Sequence, residues 1–313
     1  TPDRIEMAKT LVVLSTQRDD CAARVYAELR TRGHEVLLVD DALSSSELDL
    51  NWKTDVDGGC GGWLGVKDRR IAFDDIAGIL LRMLNPFSPE PGQEPHDRQY
   101  VLIELAAAIE GFANAFPGNV VNRPIPGLSG RNVFSRPDGT ELIRRSGFCV
   151  PDVFVSSNAE YLGHRLSESG YRRALYAGLH SAFRPCVVEN FEEVAGTQDR
   201  SSAMYAAGLP TGEIFDVFVA GQAVIGVDTA VRESSELHER VELSESTAST
   251  AGRLAASLGL GLARITVLRT PEGEDYCLLV DEFPVYAHCS ASIQRDLTSA
   301  LADVLVAPCE VAA

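Results

Sequence analysis

The segment from Gly259 to His288 constrains the fold more than any other part of the chain. It contains two apolar runs, residues 262–268 and 276–280, on either side of the turn sequence Pro-Glu-Gly-Glu. Two β-rich runs across such a turn predict an antiparallel hairpin. The second run changes abruptly to Asp281 and Glu282, and many α/β proteins place a metal or substrate site just beyond a buried strand. We therefore expect the functional site at the end of this hairpin.

Length and charge limit the classes of protein to consider. The chain has 313 residues, 45% of them hydrophobic, which is enough for one large α/β core or two smaller ones. Its formal net charge of -17 opposes binding to nucleic acid or to an anionic membrane. No apolar run reaches membrane-spanning length, and residues 1–10 lack the apolar block of a signal peptide. These features predict a cytoplasmic protein.

The first part of the chain has the pattern of a β-α-β unit. An apolar run at residues 10–16 precedes a helical pattern from Asp19 to Thr31, and a second apolar run follows at residues 34–40. This order predicts a parallel sheet. The glycine run at residues 58–62 lacks the Lys-Ser/Thr of a phosphate-binding loop, and we interpret it as a turn.

The rest of the chain mixes helices with a second hairpin. Residues 96–116 have the apolar pattern of a long helix, and residues 117–118 (Pro-Gly) are predicted to end the first domain. Residues 214–227 alternate apolar and polar side chains about a turn, which predicts a second antiparallel pair. Two further helices are predicted at residues 244–258, after a Ser/Glu capping pattern, and 290–306.

The hairpin at residues 259–288 resembles the signature hairpin of the ATP-grasp superfamily. The resemblance is to the branch of ribosomal-peptide maturases and glutamate-ligase-like carboxylate–amine ligases. Asn-Arg-Pro at residues 122–124 and the segment 136–151 resemble the entry into the ATP-grasp core of that branch.

This resemblance implies an α/β fold in which an amino-terminal parallel-sheet domain precedes a two-part ATP-grasp core with antiparallel sheets and helices. The first domain would cover residues 1–118 and the core residues 119–313. The two parts of the core would be residues 119–190 and 191–313.

The resemblance also assigns metal positions. In the family, an Asp on the first strand of the hairpin and a Glu and an Asn on the second hold the magnesium ions that bridge the ATP phosphates. The matching positions here carry Thr266, Leu279 and Asp281, so only one of the three keeps a carboxylate. Asp281, with Glu282 beside it, is therefore the candidate metal ligand.

The positions that contact phosphate in the family also differ. Arg136 stands where the family has a lysine, and Ala177 occupies the second lysine position. Asp216 falls near the position of the catalytic arginine, whereas Arg184 matches an arginine that the family keeps. Because a guanidinium forks onto phosphate oxygens, we predict that Arg136 binds the nucleotide, the alternative being a surface arginine at a helix start. Arg184 and Asp281 are predicted to take part in catalysis, and the alternative for Asp281 is a solvated acid at the end of a strand.

The family resemblance implies ATP and Mg²⁺ as cofactors. It also implies that the protein forms amide or ester bonds on a peptide or on an amino-acid-like small molecule. Such reactions belong to specialised metabolism. Loss of both lysines, the arginine and two metal ligands removes the charges that stabilise a transferred phosphoryl group.

Two hypotheses follow. In the first, the protein is a divergent ATP-grasp enzyme with a modified or ATP-independent reaction. In the second, it is a pseudoenzyme that binds a peptide or a partner enzyme in the old cleft. Both allow a homodimer.

The seven cysteines are dispersed without metal-ligand spacing, which predicts reduced thiols. Cys289 adjoins His288 in sequence. It is a candidate nucleophile only if a base and an orienting partner lie beside it in the fold.

Overall fold

The computed structural model describes residues 9–41, 43, 45–82, 94–124, 133, 138–178, 186–189, 191, 204–229 and 237–307. Four β-sheets and six α-helices lie within these ranges. In this part of the chain no helix is long and apolar enough to cross a membrane.

The first sheet is parallel, as the β-α-β pattern predicted. Its strands are β1 (Thr10–Leu14), β2 (Val36–Val39), β6 (Ile76–Leu81) and β7 (Asn119–Val121), in the order β2-β1-β6-β7. Helix α1 (Asp20–Thr31) connects β1 to β2, and its N-cap is Asp19, whose side chain accepts hydrogen bonds from the first-turn amides. Strand β7 lies just past residue 118, where we predicted the end of the first domain.

A small antiparallel sheet interrupts this domain. It contains β3 (Leu48–Thr54), β4 (Cys60–Val66) and β5 (Arg69–Ala72). The interpretation of residues 58–62 as a turn is wrong for its second half, because β4 begins at Cys60. A Cβ at Gly62 would lie 2.2 Å from the backbone oxygen of Asn51 on β3, so the close approach of the two strands requires glycine there. The long helix α2 (Pro95–Ala115) follows, close to its predicted limits.

The second part of the chain contains two antiparallel sheets. The four-stranded sheet has β8 (Val153–Ser156), β9 (Arg173–Gly178), β10 (Cys186–Val188) and β11 (Met204–Leu209), in the order β10-β9-β11-β8. The five-stranded sheet has β12 (Glu213–Ala220), β13 (Ala223–Asp228), β14 (Arg240–Val241), β15 (Leu262–Arg269) and β16 (Asp275–Asp281), in the order β14-β13-β12-β15-β16. Both predicted hairpins, β12–β13 and β15–β16, are confirmed.

Four helices accompany these sheets: α3 (Gly139–Ser146), α4 (Ala159–Glu168), α5 (Glu245–Ser257) and α6 (Ala291–Val306). The predicted cap of α5 is confirmed, because the Ser244 hydroxyl accepts from the amide of Thr247 at 3.1 Å. Helix α6 joins the two parts of the protein, since its buried Leu297 belongs to one hydrophobic core with Leu11 of β1 and Phe218 of β12. The first sheet is thereby held against the five-stranded sheet.

Asn122 forms a polar link between these two sheets. It is 3% exposed and has a positive φ of 59°, directly after β7. Its amide nitrogen donates to the backbone oxygens of Leu262 (2.8 Å) and Glu282, and its side-chain oxygen accepts from the amide of Leu262 at 2.9 Å. Three backbone groups at the ends of the β15–β16 hairpin are therefore satisfied by one side chain that directly follows the first sheet.

We expect Asn122→Ala to lower the free energy of unfolding by about 3 kcal/mol. The substitution leaves buried backbone groups without hydrogen-bond partners, and alanine at this positive φ has no side-chain hydrogen bonds to offset the backbone strain. Urea denaturation measures the loss. Asn158→Ala, which removes the N-cap acceptor of α4 on the surface, is the control and should cost about 1 kcal/mol. Equal losses in the two variants would contradict the role assigned to Asn122.

Candidate functional site

The register of the five-stranded sheet brings the predicted metal positions together. Thr266 on β15 lies opposite Asp216 on β12 and opposite Leu279 on β16. Two residues earlier on β15, Arg264 lies opposite Asp281. Residues two apart on a strand project from the same face. We call Asp216, Arg264, Thr266 and Asp281 the guanidinium cluster.

Arg264 is the centre of this cluster. Its side chain is 8% exposed, and Nη2 donates to Oδ2 of Asp281 at 2.8 Å. On the other side, Nη1 lies 3.8 Å from Oδ2 of Asp216. The Nε atom is buried and has no hydrogen-bond partner. Because an arginine side chain stays protonated in proteins, a permanent positive charge lies between the two carboxylates.

The remaining carboxylate oxygens of the cluster contact neutral donors. The Thr266 hydroxyl donates to Oδ1 of Asp216 at 2.6 Å. The amide of Phe283 donates to Oδ1 of Asp281 at 3.0 Å. Each carboxylate therefore has one oxygen beside the guanidinium and the other on a polar group of the chain, so both are compensated within the protein.

The residues present do not fit the magnesium site that the resemblance implies. Mg²⁺ takes oxygen ligands in near-octahedral geometry, whereas Leu279 offers no oxygen and the Thr266 hydroxyl is directed at Asp216. Asp281, the one carboxylate at the three matching positions, is already paired with the positive charge of Arg264. Across the described ranges, no group of three His, Cys, Asp or Glu side chains could hold a metal ion.

A second buried arginine fixes the backbone that follows the cluster. Arg82, directly after β6, has a side chain that is 3% exposed. Its Nε donates to Oδ2 of Asp19 at 2.8 Å, and its Nη2 donates to the backbone oxygen of Pro284 at 3.0 Å. The carboxyl edge of the first sheet is thus bonded to the segment just past Asp281.

Sequence reasoning missed both of these arginines. Each follows or interrupts an apolar run: Arg264 lies within Leu262–Arg269, and Arg82 follows Ile76–Leu81. A charged residue inside an otherwise buried strand needs a compensating partner, and that signal could have identified Arg264. The identity of its partners depends on the strand register.

Two predicted site residues, Arg136 and Arg184, lie outside the described residues. Nucleotide binding by Arg136 and the catalytic role of Arg184 therefore stay predictions. Glu282 follows Asp281 at the end of β16, and its backbone oxygen accepts from Asn122. Its role as a metal ligand also stays a prediction.

Cys289 lacks the environment of a nucleophile. It is 2% exposed, and burial, reinforced by the negative charge of Asp216, raises the pKa of its thiol to about 12. At neutral pH the group is therefore a thiol rather than the reactive thiolate.

Comparison with known proteins adds a fold assignment. No protein-family model matches the chain, and no curated protein matches it. Among solved structures, macrocyclase MdnC from Microcystis aeruginosa MRC, bound with precursor peptide MdnA, superposes with a TM-score of 0.70. The match has 16% identity and covers 95% of this chain and 99% of MdnC. The ATP-grasp ligase PsnB, complexed with minimal precursor, Mg and ADP, gives a TM-score of 0.67 at 19% identity, over 94% of this chain and 98% of PsnB. The chain has the ATP-grasp fold.

A RimK domain ATP-grasp protein from Sphaerobacter thermophilus DSM 20745 gives a TM-score of 0.60 at 15% identity, over 95% of this chain and 100% of that protein. The ATP-grasp fold thus extends over nearly the whole chain. The predicted fold class, a parallel-sheet α/β domain followed by an ATP-grasp core, is confirmed.

Proposed function

We propose that this protein is a divergent member of the peptide-maturing ATP-grasp ligases that binds a peptide but does not join peptide groups with magnesium–ATP. The observation that carries the proposal is the position of Arg264 between Asp216 and Asp281. The fold supplies the peptide class, because the similar structures include ligases bound with precursor peptides.

The electrostatics of the guanidinium cluster oppose magnesium–ATP chemistry. Phosphoryl transfer depends on cations placed around the γ-phosphate. A magnesium ion entering the guanidinium cluster would have to displace Arg264, whose charge is buried and cannot be removed by deprotonation. The magnesium ion would then have only two carboxylates as ligands, because the Leu279 side chain has no oxygen. Affinity for a small divalent cation should be very weak there.

Peptide binding is the activity that the fold can keep without the metal. The first sheet and the five-stranded sheet are joined through Asn122 and Arg82, so these two walls are held relative to one another. Such preorganisation suits recognition, because less conformational freedom is lost when a ligand binds. A homodimer, a partner enzyme and a cytoplasmic location stay predictions.

A turnover assay tests the proposal. The protein is incubated with magnesium–ATP and a pool of peptides that contain both lysine and acidic residues, and ADP and peptide mass are measured together. We expect neither ADP above the protein-free background nor a change in peptide mass. ADP formed in step with loss of water from a peptide would show an active ligase and contradict the proposal. A change in peptide mass without ADP would favour the divergent, ATP-independent enzyme over a peptide-binding protein.

A further inference from the structure

The first half of helix α2 has an apolar surface that nothing else in the described part of the chain covers. Eight of the nine residues from Tyr100 to Ala108 are apolar, and none of the nine is buried. The second half differs, because Ile109, Phe112 and Ala113 are buried in a core of the first domain. A helix that is apolar on all sides is normally buried. The first half of α2 therefore lacks a covering element.

The outer side of this helix carries a continuous exposed stripe. Four residues follow the helical repeat on one side of α2 and form what we call the α2 stripe: Tyr100, Ile103, Ala107 and Gly111. Tyr100 is 64% exposed and Ile103 is 59% exposed. At the far end the ring of Trp52, from β3, continues the apolar surface, since a Cβ added at Gly111 would lie 2.9 Å from it. The stripe is about 17 Å long, or three helical turns.

Two carboxylates border the α2 stripe on one side. Glu104 projects beside Ala107, and Asp97 lies two turns before Glu104 on the same side of the helix. Both residues are exposed, and neither forms an ion pair or a side-chain hydrogen bond within the described ranges. The N-terminus of α2 offsets part of the charge of Asp97, which is in the first turn. The charge of Glu104, further along the helix, is not offset in this way.

The basic groups around this helix have other partners. Arg98 projects from the opposite side of α2 and has a partner of its own. On β3, Lys53 pairs with Asp55 at 3.1 Å. His96 carries no formal charge at pH 7. Positive charge supplied by a ligand would therefore be attracted to this border of the stripe.

The other border of the α2 stripe contributes less to selection. Glu110 lies there, but it is only half-exposed. Arg123 donates to the backbone oxygens of Ala113 and Asn114 about one turn further along, so a cation is already present at that end of the helix. The surface is thus apolar along its centre and acidic along one side.

A second copy of this chain fits the α2 stripe poorly. Two-fold pairing brings the same patch of both copies together. Centred on residues 100–108, such pairing would place Glu104 beside the same residue of the other copy, and like charges in contact oppose association. Each copy also has a formal net charge of -17.

We infer that the α2 stripe is a docking surface for an amphipathic helix of a partner protein. The apolar face of that helix would cover Tyr100 and Ile103, and basic residues along one flank would reach Asp97 and Glu104. Packing of an amphipathic helix onto an apolar surface is a common mode of recognition, and three turns correspond to about 11 residues of the partner. This surface goes beyond the proposed function, because neither ATP nor the guanidinium cluster takes part.

Fluorescence polarisation with three labelled model peptides tests the docking surface. The first peptide has about 18 residues, with leucines at the helical repeat and lysines beside them. The second has the same residues in an order that forms no apolar stripe, and the third has glutamate in place of every lysine. We expect the first peptide to bind the full-length protein at least about tenfold more tightly than the second. The third should not bind.

Variants of the stripe locate the binding. Tyr100→Ser with Ile103→Ser should weaken binding of the first peptide at least about tenfold, because two apolar side chains no longer contribute buried area. Both side chains are more than half exposed, so the variant should keep its fold, which circular dichroism checks. The control, Tyr161→Ser with Val187→Ser, removes half-exposed apolar side chains from the second part of the chain and should leave affinity unchanged.

Variants of the acidic border test the charge preference. Asp97→Asn with Glu104→Gln should weaken binding about fivefold and make it less sensitive to salt, the effect of two exposed ion pairs. The control, Glu239→Gln with Glu272→Gln, removes the same charge from exposed residues outside the first domain and should change affinity much less.

Equal affinity for the first and second peptides would overturn the inference, since charge alone would then explain binding. Failure of the first peptide to bind would overturn it too, as would equal losses in the stripe variant and its control. Sedimentation velocity of the free protein tests the other occupant. We expect the stripe variant to leave the oligomeric state unchanged, and a dimer that it dissociates would show a second copy on the stripe and contradict the inference.

Discussion

Arg264→Met will lower the free energy of unfolding by about 3 kcal/mol at neutral pH. Methionine nearly fills the space of the arginine stem but removes the charge. Asp216 and Asp281, whose side chains are 14% and 29% exposed, then lose the cation between them. An uncompensated carboxylate in a partly buried site costs several kcal/mol, which is why removing one member of a buried ion pair is more damaging than removing all of it.

Two comparisons make this result specific. The triple variant Arg264→Met, Asp216→Asn and Asp281→Asn removes every charge of the cluster and should recover most of the lost stability. Arg240→Met breaks a half-exposed ion pair with Asp296 and should cost less than about 1 kcal/mol. Urea denaturation of the variants measures all three. An Arg264→Met loss no larger than that of Arg240→Met would show that the cluster contributes no more than a surface pair.

The second large effect should be the appearance of a metal site. Arg264→Ala combined with Leu279→Glu removes the internal cation and adds a carboxylate opposite Thr266, beside Asp216 and Asp281. Three acidic side chains that have lost the charge of Arg264 repel one another, and a divalent ion relieves that repulsion. We expect Mn²⁺ or Mg²⁺ to stabilise this variant by about 3 kcal/mol at a hundredfold excess over Kd.

Thermal unfolding with and without metal measures this gain. The matched control is Arg264→Ala with Leu279→Gln, which has the same shape but one carboxylate fewer and should respond much less. The wild-type protein should not respond to millimolar metal, because Arg264 fills the position. A wild-type shift as large as that of the double variant would mean that the metal binds without displacing the guanidinium.

The hairpin at the centre of the site could be predicted because its two apolar runs and its turn are local features. Asp281 follows a buried run, and that alone directed attention to the end of β16. The fold resemblance further grouped Thr266, Leu279 and Asp281, and the strand register places the first two opposite each other.

The contacts of Arg264 could not be predicted in the same way. They depend on the register between β12, β15 and β16, which includes an irregularity between Thr266 and Val267. A shift of one residue would turn Arg264 to the opposite face of the sheet. The link from Asn122 to Leu262 also spans 140 positions, and no pattern within either segment indicates it. Such long-range polar pairs are set by packing between domains rather than by local sequence.

The glycine run shows the same limit at short range. Its composition indicated a turn, and residues 58–59 agree, yet Gly62 is in a strand, where glycine is needed because Asn51 on β3 leaves no space for a Cβ. The sequence alone does not distinguish a glycine required by two closely approaching strands from a glycine required by a turn. Only the neighbouring strand distinguishes the two cases.

We propose that Arg264 takes the place of the metal ion in an ATP-grasp fold. Calorimetric titration of the wild-type protein with magnesium–ATP tests it most directly, with Arg264→Ala/Leu279→Glu titrated in parallel. The account predicts no binding heat from the wild type at millimolar nucleotide and measurable heat from the variant. Micromolar binding of magnesium–ATP by the wild type, weakened by removal of magnesium, would contradict it.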